Sequence, residues 1–394
     1  MKSDYMFTSE SVTEGHPDKL CDQIADAVVD RFLRQDPMAR VLSECAVSNG
    51  ILFIATRFAS AATADIPGVA HQVIREVGYT REDFNPETCT VMTTLSELPH
   101  FHQRDERDMN DEEIDRIPAR NMANVFGFAC DQTTALMPLP IWLAHKLARR
   151  LASVRLQRLL PYLAPDGNTQ VGVEYRQGRP YRIHSLTIVA SEWPDSAVSA
   201  DRLRDDLMEL VVQPAFMDEN IRPGRGTAVF INPDGPLVNG GPASHSGLTG
   251  RKNAIDSYGE YSRQSESALS GKDPTRIDRV GAYAARHAAK NVVAAGLASA
   301  CEVQLAYSIG QSKPVSVQVE TFGTGTLPDE TITSKVLALF DFRPAGIIRA
   351  YGLRHLPSIH RGGFYHRLAA YGQVGRMDLA LPWERTDLAA QLRE

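Results

Sequence analysis

The stretch Ser246-Gly-Leu-Thr-Gly-Arg-Lys252, followed shortly by Ser270-Gly-Lys-Asp-Pro-Thr-Arg-Ile-Asp278, decides how this chain is read. It brings two small-residue turns, the adjacent cations Arg251 and Lys252, a further cation at Lys272 and the carboxylates Asp273 and Asp278 close together in sequence. Glycine lets a backbone approach a ligand closely, and the N–H groups of such turns form anion-binding concavities. Arg and Lys donate charge-assisted hydrogen bonds to phosphate oxygens, and Asp273 and Asp278 could hold a magnesium ion bridging them. The spacing is not the Walker pattern. A solvated loop with ordinary surface ion pairs would carry the same residues, so the stretch alone leaves both readings open.

Bulk properties narrow the setting. At 394 residues the chain is too long for one small core and suggests two or three domains. With 43% hydrophobic and 23% charged residues it has the composition of an ordinary soluble protein. A net charge of −6 offers no basic field for nucleic acid or an anionic membrane, so a nucleotide site must gather its cations locally. Cys21, Cys45, Cys89, Cys130 and Cys301 are odd in number and scattered, with no C-x-x-C pair. That pattern predicts free thiols in a reducing compartment and argues against a disulfide framework or zinc site. Met1-Lys-Ser-Asp-Tyr5 lacks the apolar run of a signal peptide, and no stretch approaches membrane-span length. The expected location is the cytoplasm.

Periodicity predicts repeated helix-and-hairpin units. Leu20, Ile24, Val28 and Phe32 recur every four residues and mark a helix ending before Pro37. Strands over 41–47 and 51–59 flank Ser48-Asn49-Gly50, where Asn-Gly suits the left-handed turn positions. A helix over 66–77 and a strand over 88–95 close the first unit. Residues 100–120 are crowded with charge and too long for an ordinary connection, a composition shared by functional lids and disordered linkers. The second unit has a helix over 140–160, a hairpin of 169–175 and 181–190, a helix over 200–216 and a strand over 227–231. The third has an alanine-rich helix over 281–300, then alternation at Val303, Leu305, Tyr307 and Ile309 and at Val315, Val317 and Val319. Three such units suggest three similar α+β domains, each sheet covered by helices on one face and needing a partner on the other.

At the other end of the chain stands Phe7-Thr-Ser-Glu-Ser-Val-Thr-Glu-Gly-His-Pro-Asp-Lys19. With Phe230-Ile-Asn-Pro233, Gly240-Gly-Pro242, Ala282-Tyr-Ala-Ala-Arg286, Lys290-Asn-Val-Val-Ala-Ala-Gly-Leu297, Glu320-Thr-Phe-Gly-Thr324 and Phe342-Arg-Pro344, it resembles the S-adenosylmethionine synthetase (methionine adenosyltransferase) family in order over nearly the whole chain. The resemblance implies three pseudo-symmetric α+β domains, here expected at 1–105, 121–232 and 233–394, with a mobile active-site loop at 106–120. It also implies sheets packed across a homodimer interface, dimers that can pair further, and active sites built from two chains.

The family's reaction has methionine sulfur attack C5′ of ATP and displace the whole triphosphate, which is then hydrolysed to pyrophosphate and phosphate. So charged a leaving group calls for cations and metal, and for little proton transfer at sulfur. By the resemblance, His16, Lys272 and Asp278 are catalytic, and His16, Arg251, Lys252 and Lys272 meet the triphosphate. Asp166 lies at the ribose, with Ala268 and Ile309 at the nucleotide. Asp18 and Asp278 hold magnesium, two ions being expected, and Glu44 holds potassium.

Departures fall mainly on the acceptor side and on glycine-rich loops. Where the family has a glutamate on the methionine ammonium this chain has Arg57, within Ala55-Thr56-Arg57, and His245 replaces an aspartate that reads the same ammonium. Arg276 replaces the lysine on the methionine carboxylate, and Ala119-Arg-Asn-Met-Ala-Asn124 and Gln264-Ser-Glu-Ser-Ala-Leu-Ser-Gly-Lys272 replace glycine-rich segments. Asp166-Gly-Asn168 and Pro236-Leu237 replace further nucleotide contacts. An ammonium facing Arg57 in place of glutamate loses a charge-assisted bond and gains repulsion, on the order of several kcal/mol. The expected acceptor is therefore methionine or a thioether lacking the amine or bearing an extra acid, with Arg57, His245 and Arg276 as its contacts. Two other readings stand beside an active adenosyltransferase: a weakly active regulatory partner of a true synthetase, and a triphosphate hydrolase.

Overall fold

Leu20, Ile24, Val28 and Phe32 are all buried on α1 (Pro17–Gln35), as their spacing predicts. The computed structural model describes residues 4–81, 84–99, 103–196, 198–238 and 240–394. β1 (Tyr5–Val12) precedes α1, and β2 (Arg40–Ser48) and β3 (Ile51–Ala59) follow as a hairpin with Asn49 at φ 51°. α2 (Ile66–Val77) starts on Asp65, whose side chain accepts from Gly68 N, and stops at Gly78, φ 98°. β4 (Thr90–Glu97) then runs parallel to β3. Next come α3 (Asp111–Asp115), β5 (Ala123–Cys130), α4 (Leu139–Leu156) and the long hairpin of β6 (Leu163–Arg176) and β7 (Arg179–Glu192). α5 (Ala200–Leu207), β8 (Ala228–Ile231), β9 (Leu237–Val238) and β10 (Gly247–Leu248) lead to α6 (Ile277–Ala294). β11 (Ala300–Tyr307), β12 (Ser316–Glu320), α7 (Asp329–Leu339) and α8 (Pro344–Tyr351) follow.

The strands form three sheets, ordered β10-β2-β3-β4, β1-β6-β7-β8 with β9 beside β7, and β12-β11-β5. The expected segments 1–105, 121–232 and 233–394 exchange strands. β1 pairs along its whole length with β6, from Tyr5↔Tyr175 to Val12↔Asn168, while β5 pairs with β11 and β10 with β2. Helices cover one face of each sheet: α1 packs on β2, α4 on β1 and β6, α6 on β5 and β11. The opposite face of the first sheet is open. There Leu248, Ala46, Phe53 and Met92 stand in register across four strands. Ile51, Phe53, Met92 and Leu248 on that face are between 43% and 54% exposed.

Three helices differ from expectation for local reasons. The one expected over 140–160 lies at Leu139–Leu156, where Arg158 at φ 58° follows its C-cap Gln157. The helix expected over 281–300 lies at Ile277–Ala294, because Gly296 (φ 71°) stops it and Ala300 already pairs with Cys130 in β11. The helix expected over 200–216 widens at Met208–Val212 before Gln213–Ala215. Pro214 has no N–H for the carbonyl of Leu210, and Arg150 Nε donates to that oxygen instead (2.7 Å). In the charged stretch, His100, Phe101 and His102 lie outside the described residues. The rest is held by charge more than by apolar packing. Arg354 donates to both oxygens of Glu106 (2.6 and 2.7 Å) in a buried pair. Asn110 caps α3, and Arg343 and Arg349 reach Asp111.

Candidate active site

Four carboxylates organise the site from inside. Asp18, Asp22, Asp26 and Asp30 recur every fourth residue of α1 and are all buried. Like charges four apart on a helix repel, so this ladder persists only because each carboxylate has donors. Asp18 Oδ1 accepts from Leu248 N (3.0 Å), Asp22 Oδ1 from Gly250 N (2.8 Å) and Asp26 Oδ1 from Gly271 N (2.8 Å). Asp30 accepts from the N–H groups of Tyr365 (3.1 Å) and His366 (3.0 Å). Arg279 makes a buried bidentate pair with Asp26 (2.8 and 2.6 Å), and Lys19 bridges Asp22 and Asp256. One helix thus pins both small-residue turns, at 246–252 and at 270–278. The four-residue spacing of these aspartates is visible in the sequence and is the signal that points to them.

The first group of candidate residues gathers at the start of α1. His16 is the N-cap, with Nδ1 accepting from Asp18 N (3.2 Å), and Pro17 opens the helix. Gly15 is required there, because a Cβ would fall inside the Pro165 carbonyl, and that close approach sets Asp166 beside His16. Gly247 is required likewise against the carbonyl of Pro17, which is how Leu248 N reaches Asp18. His245 Nε2 donates to Asp166 Oδ2 (2.8 Å), which also accepts from Gly241 N (2.8 Å). The rings of His16 and His245 lie 5.0 Å apart. Arg251 approaches Asp18 (3.4 Å) and Lys252 pairs with Glu10 (3.2 Å). Burial pushes the His16 imidazole down to about 4 against the pull of Asp166 and Asp18, so it is neutral at pH 7. The hydrogen bond to Asp166 shifts His245 the other way, upward.

The second group lies further along the free edge of β2. Gly271 (φ 78°) puts its carbonyl on Ser43 N (2.8 Å), and any Cβ there would strike the Ser43 carbonyl. Lys272 comes opposite Leu42, which is itself opposite Arg57. Lys272 Nζ stands 3.4 Å from Asp278 Oδ2, in the first turn of α6, and Asn121 Nδ2 donates to the same oxygen (2.9 Å). Burial lowers the lysine, with Asp278 opposing. Asp273, read from sequence as a possible magnesium ligand, is instead spent on the turn. Its oxygens accept from Val41 N and Thr275 N, each at 2.7 Å. Arg276 occupies the N-cap position of α6, Glu44 is exposed opposite Ala55, and Ile309 is exposed where Gly310 N donates to Ala119 O (3.0 Å). Ala268 lies against Gly250, between the groups.

The two groups do not merge within one chain. Leu248 faces Ala46 and Lys272 faces Leu42, a separation of about 14 Å along β2. Asp18 and Asp26, their anchors on α1, are about 12 Å apart. Arg57 and His245, both expected at the acceptor, fall in different groups. Asn121, for which the sequence reading gave no role, contacts Asp278, and its buried Oδ1 has no partner among the described residues.

Comparison with known proteins bears on this arrangement at full length. Family models described as the N-terminal, central and C-terminal domains of S-adenosylmethionine synthetase match residues 4–99, 116–237 and 239–385. S-adenosylmethionine synthases of Gloeothece citriformis and a Synechococcus species are each 48% identical over 99% of this chain and 97% of their own. That of Trichormus variabilis is 48% identical over 100% of this chain and 97% of its own. With every domain matched and nearly the whole length aligned around the carboxylate-pinned turns of α1, the chain belongs to the S-adenosylmethionine synthetase family.

Proposed function

We propose that this protein transfers the adenosyl group of ATP to the sulfur of methionine or a closely similar thioether. A sulfur lone pair forms the bond to C5′, the C5′–O bond breaks, and the triphosphate leaves with the electron pair. One water then divides it into pyrophosphate and phosphate. Full-length identity of 48% to curated S-adenosylmethionine synthases carries this reading. Arg251 and Lys252 in one group and Lys272 in the other suit an extended polyanion. His16, neutral and with Nδ1 accepting from Asp18 N, holds its proton on Nε2, where it can donate to the leaving oxygen.

Magnesium fits the carboxylate-rich parts of both groups, since it takes oxygen ligands and retains waters. Asp18 and Asp278 would hold it, and the unpartnered buried Oδ1 of Asn121 beside Asp278 is a further hard oxygen at that place. Bound there, magnesium would offset the charge developing on the leaving triphosphate. Glu44, on the open face, is the candidate for potassium. The separation of the groups and the open apolar face of the first sheet support a homodimer in which the Asp18 group of one chain meets the Lys272 group of the other.

The acceptor pocket would then combine His245 of one chain with Arg57 and Arg276 of its partner. Arg57 is exposed in the row of Lys272 and has no ion-pair partner among the described residues. Such a pocket favours an acid over an ammonium. Incubation with ATP, magnesium, potassium and either methionine or 3-methylthiopropionate, followed by mass spectrometry, tests both statements. A sulfonium nucleoside is the expected product, with Arg57→Glu shifting kcat/KM toward methionine. Phosphate release without a sulfonium product would leave only hydrolysis.

A further inference from the structure

His245 does more than alter the acceptor side: it completes a set of metal donors. His16 caps α1, Asp166 stands on β6 and His245 lies just before β10, so three separate segments converge. Their candidate donor atoms all lie within 4.8 Å of one another. Two donors at about 2.1 Å from a tetrahedral ion are about 3.4 Å apart. The hydrogen-bonded pair of His245 Nε2 and Asp166 Oδ2, at 2.8 Å, therefore has to open only slightly to admit one.

We propose that His16, Asp166 and His245 form a binding site for a divalent transition-metal ion of the zinc or cobalt type, distinct from the magnesium positions. Two imidazoles and one carboxylate select such ions, whereas magnesium prefers oxygen. The supporting shell is present. Gly241 N donates to Asp166 Oδ2 (2.8 Å) and fixes that carboxylate. When the ion takes Nε2, the His16 proton moves to Nδ1, so the bond that Nδ1 accepts from Asp18 N (3.2 Å) is given up, and Asp18 Oδ2, 3.8 Å away, has to close in to accept that proton. Binding also releases the proton of His245 Nε2 to solvent. The His245 side chain is 44% exposed, so the site has an entrance, while His16 and Asp166 are buried. The cysteine pattern had argued against zinc, but the donors here are imidazoles, and their distance in sequence hides them from any short motif.

The site shares His16 and Asp166 with the proposed nucleotide pocket, so competition between metal and ATP rests on that reading, whereas metal binding does not. The full-length protein, stripped with chelator, is titrated with Co2+ in excess magnesium and without nucleotide. One equivalent should bind, with the visible absorption of a four-coordinate nitrogen and oxygen site, release of protons, and no sulfur charge-transfer band. His245→Ala, a partly exposed position, should keep the wild-type circular dichroism and weaken binding by more than about tenfold, the least that losing a ligand's own support costs. Asp166→Asn should weaken it similarly. Failure to bind one equivalent, or equal binding by His245→Ala, overturns the site. Adenosyl transfer without cobalt binding would remove the site and keep the enzyme. Cobalt binding by a protein with no transfer activity would do the reverse.

Discussion

His16 combines two roles that one substitution can separate. Its Nδ1 caps α1, and its ring borders Asp166 and His245. Asparagine also caps helices well but has no imidazole. His16→Asn should therefore leave the unfolding free energy, read from urea denaturation, within about 0.5 kcal/mol of wild type and lower kcat by about 10²–10³-fold. A large loss of stability with activity retained would reduce His16 to a cap. The histidine itself was legible in the sequence, through Gly15-His-Pro-Asp-Lys19. Its neighbours Asp166 and His245 were legible only through the family resemblance, since both are far away along the chain. Gly15 and the pairing of β1 with β6 bring in Asp166, and Gly247 and the pairing of β10 with β2 bring in His245. Asp273 shows the opposite failure. Its residue type suited a metal, but two backbone N–H groups had already claimed its oxygens.

Among the elements, α1 carries the most consequence. Asp30 lies at the end of its aspartate ladder, and burial pushes its carboxyl up to about 7 against the two backbone N–H donors. A carboxyl raised in the folded state binds protons there that it has lost in the unfolded chain. Its contribution to stability is thus full below pH 4 and declines as pH rises through about 7. Asp30→Asn removes that dependence. The thermal midpoint of the variant relative to wild type should climb between pH 5 and pH 8, and parallel curves would show that Asp30 is ionised throughout. The apolar face of α1 was readable at Leu20, Ile24, Val28 and Phe32 because apolar residues four apart mark the buried stripe of a helix. Helix ends were read less well. Gly296 fell inside the expected helix over 281–300, and its left-handed conformation, which stops that helix, shows only in the fold.

At the scale of the molecule, the proposed homodimer would tie assembly to chemistry through the open face of the first sheet. Phe53 lies in the centre of its apolar row, between Ala46 and Met92. Phe53→Lys should leave the chain folded, shift it to monomer in sedimentation and abolish transfer, because His16 would lose its opposite group. A fully active monomer would sink the shared-site reading. Three α+β units were apparent from helix and hairpin spacing, but their strand exchange was not, because pairing between β1 and β6 joins positions too distant for periodicity to register. That exchange reaches beyond architecture. Cutting out residues 116–237 would strip β6 of its neighbour β1 and leave β5 without β11, so the excised piece should not fold. Heating the intact protein should give one calorimetric transition, with no sequence of three. A chain laced in this way cannot be traded piecewise among relatives, and its parts survive or fail together.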